Sequence, residues 1–420
     1  MNLCDKESCT GCASCVNACP TGAIAFVSDD EGFLRPLISS NKCSKCGKCV
    51  KSCPQITPPE IPVARKGVFA CWHKDGSTRS ESSSGGAFTA LAEEVLRRGG
   101  RVYGAAFNGF PKVAHVGIDK GSELKRLRGS KYLQSEIGKT FIDVKADILS
   151  GKKVLFSGTP CQVAGLYACL GERYGNNLIT VDLVCHGVPS PKVFADYVKW
   201  VENNYGASVQ DYKFRYKKFG WYLYSTKIAL SNGKSILEHF FKNPFSQGFL
   251  REYFLRPSCH HCLYAGLQRP ADITLSDFWG YRGKRKDGLD KDDDKGVSMV
   301  MLNTAAGAQL FDSVKENLVV WERSVDDAIR GNHALRGPFQ ASPLRVQFWF
   351  DYRHLSFGEV VKKYMYPEEL AGWWLERYTL LGKLRSFARR VLGRFKCVVK
   401  KVLGARLTFL VKVLWRKMVG

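Results

Sequence analysis

The chain of 420 residues is long enough for two or three domains, and its apolar fraction of 45% is that of an ordinary globular protein. No run of eighteen apolar residues occurs, so no spanning helix is predicted. The net charge of +24 invites a nucleic-acid reading, but residues 377–420 hold thirteen Lys and Arg and no Asp or Glu, which leaves only +11 for the rest.

The chain begins with a cysteine run that appears twice. Cys9, Cys12, Cys15 and Cys19 follow C-x2-C-x2-C-x3-C spacing with Pro20 next, and Cys43, Cys46, Cys49 and Cys53 repeat it before Pro54. This is the two-cluster ferredoxin pattern, in which three thiolates of each run hold one cubane and the fourth crosses to the other. One [4Fe-4S] cluster is therefore assigned to Cys9, Cys12, Cys15 and Cys53, and the second to Cys43, Cys46, Cys49 and Cys19. A four-ligand zinc site does not use eight thiolates in this order. A disulfide framework predicts a short secreted chain, whereas sixteen cysteines behind a polar start with no export signal predict a reducing, cytoplasmic compartment.

Between the runs, residues 22–27 (GAIAFV), the turn-like SDDEG and residues 33–38 (FLRPLI) read as a hairpin. Ile24, Phe26, Phe33 and Leu37 are its candidates for shielding the clusters. The proline-rich stretch TPPEIPVARK then marks a stiff connection and a boundary near residue 60. Beyond it, short β-branched or aromatic runs at 66–72, 101–107, 153–156 and 178–184 alternate with loops and helical periodicity, including a helix over 86–98. That alternation predicts an α/β sheet, in which ligands bind beyond the carboxyl ends of strands. The charged DGLDKDDDK at 287–295 reads as a solvated loop.

Three strand-end loops carry chemistry. SESSSGG at 80–86 offers hydroxyls and backbone N–H groups at a helix start, where a phosphate can sit or where serine and glycine simply cap the helix. Cys161 stands in SGTPCQVAGL, Cys185 in DLVCHGVPSP, and Cys259 and Cys262 in C-H-H-C. Four thiolates at one sheet edge suit either a third cubane or a zinc site, the latter with His260 or His261 as possible ligands, and the residues alone leave both open.

The series SSSGG, GSKYLQS (129–135), FSGTPCQVAGL (156–166), CHGVPSP (185–191), CHHC and RPADITLSDFWG (269–280), behind a two-cluster module, resembles the coenzyme F-420 hydrogenase/dehydrogenase beta-subunit family. The resemblance spans about residues 4–305. It implies a flavoprotein with FAD in its α/β domain and a [4Fe-4S] cluster close by. It assigns Cys161, Cys185, Cys259 and Cys262 to that third cluster. It places Ser84, Gly85, Gly86, Lys131, Tyr132, Ser157, Gly158 and Thr159 on motifs that line the flavin and its phosphates. Asp277 falls on a recurrent acidic position without an assigned role, and no catalytic residue is named.

In the tail, Leu380, Leu384, Phe387, Val391, Phe395, Val398 and Val402 recur at helical spacing opposite Lys383, Arg389, Arg390, Arg394, Lys396, Lys400 and Lys401. A basic amphipathic helix of this kind suits an anionic membrane surface at the inner face of the cell membrane. No nucleic-acid module accompanies the charge.

The expected fold class is an α+β ferredoxin-like two-cluster module over 1–57, a linker over 58–66, an α/β flavin-binding domain over 67–350 and a basic amphipathic helical extension over 351–420. The expected function is an iron–sulfur flavoprotein oxidoreductase. Electrons would pass from reduced ferredoxin or a similar donor through [4Fe-4S] clusters to FAD and on to a small organic or lipid-linked substrate, such as a cell-envelope or polysaccharide precursor. The alternative is an electron-transfer (beta) subunit of a larger hydrogenase/dehydrogenase complex that uses the deazaflavin coenzyme F-420. A zinc-stabilised binding protein without flavin is a third reading.

Overall fold

The computed structural model describes residues 3–61, 66–171, 174–279, 281 and 293–366. The basic tail over 377–420 and most of the charged loop over 287–295 lie outside the described residues. Residues 1–360 form one compact unit; a second begins at 361, where Val361–Met365 makes a single helical turn.

The two cysteine runs fold alike. Each bends through two left-handed residues at matching positions, Gly11 (φ 68°) and Ala13 (φ 63°) in the first, Lys45 (φ 56°) and Gly47 (φ 73°) in the second. Each then enters a short helix, α1 (Ser14–Asn17) or α2 (Lys48–Lys51). Left-handed backbone at Ala13 and Lys45 costs about 1–2 kcal/mol per residue, and the same bend twice over wraps three cysteines around one point. Between the runs lies the antiparallel hairpin of β1 (Ile24–Ser28) and β2 (Leu34–Ile38), with Phe26 opposite Pro36. Ile24 and Phe33 are buried and Phe26 half-buried, but Leu37 is 53% exposed. A strand alternates its faces, and Pro36 rather than Leu37 takes the inward position beside the first cysteine run.

The remaining strands are β3 (Gly67–His73), β4 (Arg101–Phe107), β5 (Val113–Ile118), β6 (Val154–Ser157), β7 (Leu178–Leu183), β8 (Val209–Tyr216), β9 (Ser225–Leu230), β10 (Ser235–His239), β11 (Ile273–Asp277), β12 (Ser298–Leu302) and β13 (Leu318–Arg323). Eight of them form one mixed sheet in the order β13-β3-β12-β11-β7-β6-β4-β5. Within it β4, β6, β7 and β11 run parallel, and β12 is antiparallel to both β11 and β3, so β3 shares their direction. The carboxyl ends of β3, β6, β7 and β11 therefore reach the same edge, which is where the sequence motifs lie.

Helices cover the sheet: α3 (Gly76–Glu81), α4 (Ala87–Arg97), α5 (Thr140–Leu149) and α6 (Pro160–Leu170). Alternation along β6 divides the core, with Leu155 packing among the α4 residues and Val154 and Phe156 among those of α5 and α6. Ala13 belongs to that second core, and Val16 and Phe26 pack against it. The cysteine-bearing module is thus built into the hydrophobic interior of the sheet domain. β8, β9 and β10 form a separate three-stranded sheet, in which the Phe214 and Tyr212 rings pack against Phe194 of the helix Pro191–Tyr205.

Candidate metal centres and the strand-end site

The thiols of the two spaced runs lie near one another, and so do the four that the resemblance groups, Cys161, Cys185, Cys259 and Cys262. Burial pushes the Cys15 thiol up, and its charged form is further opposed by Cys12, Cys9 and Cys53. Cys49 is raised by burial and then by Cys19 and Cys43. Both crossings are therefore present: Cys53 stands with the first run and Cys19 with the second. Cys46 completes the second set at the surface. In the third set, burial pushes Cys161 up to about 11 with Cys262 beside it, and Cys259 up to about 12 with Cys161 and Cys262 beside it. Cys185 is raised by burial and then by all three of the others.

Local structure explains the third set. Thr159 caps α6 through a reciprocal box with Gln162, which fixes Cys161 in the first turn beyond β6. Cys185 lies two residues beyond β7. The loop after it and the turn Pro257–His261 are tied by Arg256 N–H to Val188 O at 2.8 Å and Val188 N–H to Cys259 Sγ at 3.3 Å. Gly187 (φ 147°) is needed here, because a Cβ would stand 2.7 Å from Leu255 Cδ1. His260, a possible zinc ligand, meets the Phe339 carbonyl through Nδ1 at 3.0 Å.

The first and third sets are neighbours. Burial pushes Cys12 up to about 12, and Cys161 is the largest contributor among the thiols. α1 packs against α6, and the closeness depends on Gly165: a Cβ there would stand 2.8 Å from Cys12 Cβ and 3.0 Å from Cys12 Sγ. Tyr264 donates its hydroxyl to Pro54 O at 2.9 Å and feels Cys161, Cys12, Cys262 and Cys53. Arg256, fully buried, donates to Cys9 O at 2.7 Å, Leu34 O at 2.8 Å and Gln134 Oε1 at 2.7 Å, and approaches Cys9 Sγ at 3.7 Å. Gly11 leaves room for it, since a Cβ would lie 2.7 Å from Arg256 Nη1.

These donor sets fit iron–sulfur clusters. Burial raises the thiols of Cys12, Cys15, Cys161, Cys185, Cys259 and Cys262, and irons would relieve both that desolvation and the mutual repulsion of the thiolates. Among the described residues no group of three or more His, Cys, Asp or Glu is close enough to hold a single metal ion. That criterion concerns one ion, whereas a cubane interposes iron and sulfide between its ligands. Cys4 lies beside Cys9 and Cys53 and lines the same cavity as the first set. No spacing rule singled it out.

The residues expected at the flavin converge on the shared strand edge, but many of their polar atoms are already engaged. Ser84 Oγ donates to Val297 O at 2.7 Å, and Gly85 N–H donates to Ser298 Oγ at 2.9 Å. Gly85 packs too closely on Cys71 O for any side chain. Gly86 (φ 97°) begins α4. Ser83 Oγ accepts from Ser130 N–H at 2.7 Å, which joins SSSGG to the motif bearing Lys131 and Tyr132. Lys131 donates to the carbonyls of Arg126 and Arg128, both at 2.9 Å, and desolvation pushes its ammonium down to about 7. Ser157 O meets His115 Nε2 at 2.9 Å, and Gly158 N–H donates to Val181 O at 3.0 Å.

A group missed by sequence reasoning organises this edge. Buried Arg215 on β8 pairs with Asp277 at 2.8 Å and 3.2 Å, reaches Tyr132 Oη at 3.2 Å and lies 4.0 Å from the Tyr224 ring centre. Asp277, only partly exposed, also accepts from Trp221 Nε1 at 2.6 Å and so serves as an ion-pair carboxylate. Lys217 donates to the carbonyls of Arg79, Ser84 and Lys295, and burial pushes it down to about 7. Arg215 Nε is buried with no partner among the described residues. A guanidinium with a spare N–H, two amines and the stacked Trp221 and Trp279 rings form a donor set that suits a planar, anionic cofactor.

Residues 151–328 match the family model for the carboxyl-terminal part of the coenzyme F420 hydrogenase/dehydrogenase beta subunit, and residues 8–56 match the 4Fe-4S dicluster domain. Among solved structures, the chain is similar to one from the xenon-derivatised F420-reducing [NiFe] hydrogenase complex of Methanosarcina barkeri. The identity is 18% and the TM-score 0.45, over 72% of this chain and 92% of that one. No curated protein matches the chain.

Proposed function

Because residues 151–328 match the carboxyl-terminal model of the coenzyme F420 hydrogenase/dehydrogenase beta subunit and a 4Fe-4S dicluster domain precedes them, we propose that the chain is an electron-transfer subunit of an oxidoreductase complex. The observation that carries this reading is contiguity. Exposed Cys46 belongs to the second set, the buried first set lies behind it in the same module, and Cys12 of the first set adjoins Cys161 of the third. Such an order gives single electrons a protein-lined route from the surface to the sheet edge.

FAD is the proposed acceptor at that edge, held by Ser84, Gly85, Gly86, Lys131, Tyr132, Ser157, Gly158 and Thr159, with Arg215 added to them. A flavin would accept electrons singly and pass them on as a hydride. Arg215 and Lys217 would offset its negative charge, and Trp279 would border its plane. The proposed division is 1–57 for the two clusters, 67–350 for the flavin domain and 351–420 for the extension, whose basic helix would meet an anionic membrane. Among the described residues no helix is long and apolar enough to cross one.

The subunit reading is preferred to a free-standing enzyme acting on a cell-envelope precursor, since the matched domain is that of a hydrogenase/dehydrogenase beta subunit. Anaerobic purification with iron, sulfide, zinc and flavin quantified together tests it. About twelve irons and one FAD per chain are expected for three cubanes; zinc in place of four of the irons overturns the third cluster. Turnover of an organic substrate by the isolated chain, with no further subunit present, would sink the subunit assignment.

A further inference from the structure

We propose that the lysines around the second cysteine set form a docking surface for an acidic one-electron carrier protein, an inference that rests on the cluster assignment of the dicluster domain. Cys46 is the exposed member among the described cysteines. Lys42, Lys45 and Lys48 immediately precede Cys43, Cys46 and Cys49, and Lys51 follows one helical turn on. All four are exposed, and among the described residues none of their ammonium groups makes an ion pair or hydrogen bond. Residues 32–59 contain no Asp or Glu. Of the nearest preceding carboxylates, Asp29 pairs with Arg35 and Glu31 with Arg345, while Asp30 is exposed in the turn between β1 and β2. Val50, next to Cys49 in the chain, exposes 42% of its surface.

Physical chemistry gives this arrangement a use. Four unpaired ammonium groups on the same short stretch as one apolar residue and one exposed sulfur concentrate positive potential at the point where the cluster comes closest to water. Small redox encounters bury little area and rely on steering, which raises association rates by about 10 to 1,000-fold and fades with salt. A buried carboxylate partner in the chain would cancel the field, and none is present among the described residues of this surface. The transfer is balanced as it stands: the carrier loses one electron, the second cluster gains it, and no proton or group moves. The first run offers no equivalent, since Cys9, Cys12 and Cys15 are buried and their intervening residues carry no lysine.

The test compares the holoprotein with its Lys42→Gln/Lys45→Gln/Lys48→Gln/Lys51→Gln variant. Stopped-flow would follow reduction of the clusters by a photoreduced, strongly acidic plant-type ferredoxin. At low salt the variant should react at least tenfold more slowly, and the wild-type rate should fall towards it as ionic strength rises through physiological values. Reduction by the methyl viologen radical cation should not slow. Calorimetry with the oxidised ferredoxin should show weaker binding to the variant, a readout that needs no turnover. Equal ferredoxin rates in two proteins of equal iron content and unchanged cluster EPR would overturn the proposal while leaving the cluster assignment intact. Loss of binding to phosphatidylglycerol vesicles with the ferredoxin rate unchanged would overturn it in favour of a membrane surface. Absence of cluster signals in wild type would instead remove the assignment on which it rests.

Discussion

Gly165→Ala tests the junction of the first and third cysteine sets directly. The added carbon would stand 2.8 Å from Cys12 Cβ, 3.0 Å from Cys12 Sγ and 3.5 Å from Cys12 O. Ordinary carbon contacts lie at about 3.5–4.0 Å, so α6 and the Cys12 segment must separate by roughly 0.7–1.2 Å. Neither side yields easily. Gly165 is in a buried helix whose neighbours Val163, Ala164 and Leu166 are fully packed, and Cys12 is held by its own set. Overpacking of this kind costs about 1–3 kcal/mol, and the strain falls on a thiolate ligand. Expected outcomes are a perturbed EPR signal from the cluster assigned to the first set, partial loss of iron and slower equilibration between that cluster and the proposed third. Gly76→Ala is the control: its Cβ meets nothing within 4 Å, and it should leave stability and spectra alone. Wild-type iron content, spectra and thermal midpoint in Gly165→Ala would refute the claimed contact.

Three other outcomes follow from buried charge. Arg215→Met leaves the largely enclosed Asp277 without its cation and should cost about 3–5 kcal/mol; Arg215→Met/Asp277→Leu should recover at least half in thermal unfolding, and both should weaken retention of the proposed FAD. His115 is buried, and desolvation pushes it down to about 4, with Lys131 adding to the shift. The unfolded chain, with a pKa near 6.5, then binds more protons than the fold between those values, so stability is full above about pH 6.5 and falls as pH drops towards 4. Denaturant titrations should show wild type losing on the order of 3 kcal/mol more than His115→Gln over that window; parallel curves would contradict the assignment. Arg256→Met should lower the midpoint potential of the first cluster by on the order of 60 mV, a tenfold effect for one electron, in an EPR-monitored titration, because a positive donor near Cys9 Sγ favours the more negative, reduced state.

The clusters were legible in the sequence because ligation imposes spacing. Three cysteines must reach one centre within a short turn, and the price in left-handed backbone at Ala13 and Lys45 recurs wherever that turn is made. The sheet was legible for a related reason: runs such as 101–107 and 178–183 are rich in β-branched, aromatic and small apolar residues because both faces of the strand are covered, and the pattern survives in the letters. Arg215 and Arg256 left no such trace. Arg215 stands in the stretch KFRYKK, where Lys213 and Lys218 on either side are exposed, and nothing local separates the buried cation from them. Its burial is decided by Asp277, sixty-two residues away, and by the Tyr132 and Tyr224 rings. Arg256 is likewise fixed by Cys9 and Leu34, more than two hundred residues earlier. A metal ligand advertises itself to its sequence neighbours, whereas a buried cation is defined by partners that only the fold brings near. The residues that would set the electrostatics of the proposed electron path are therefore the ones a linear reading passes over.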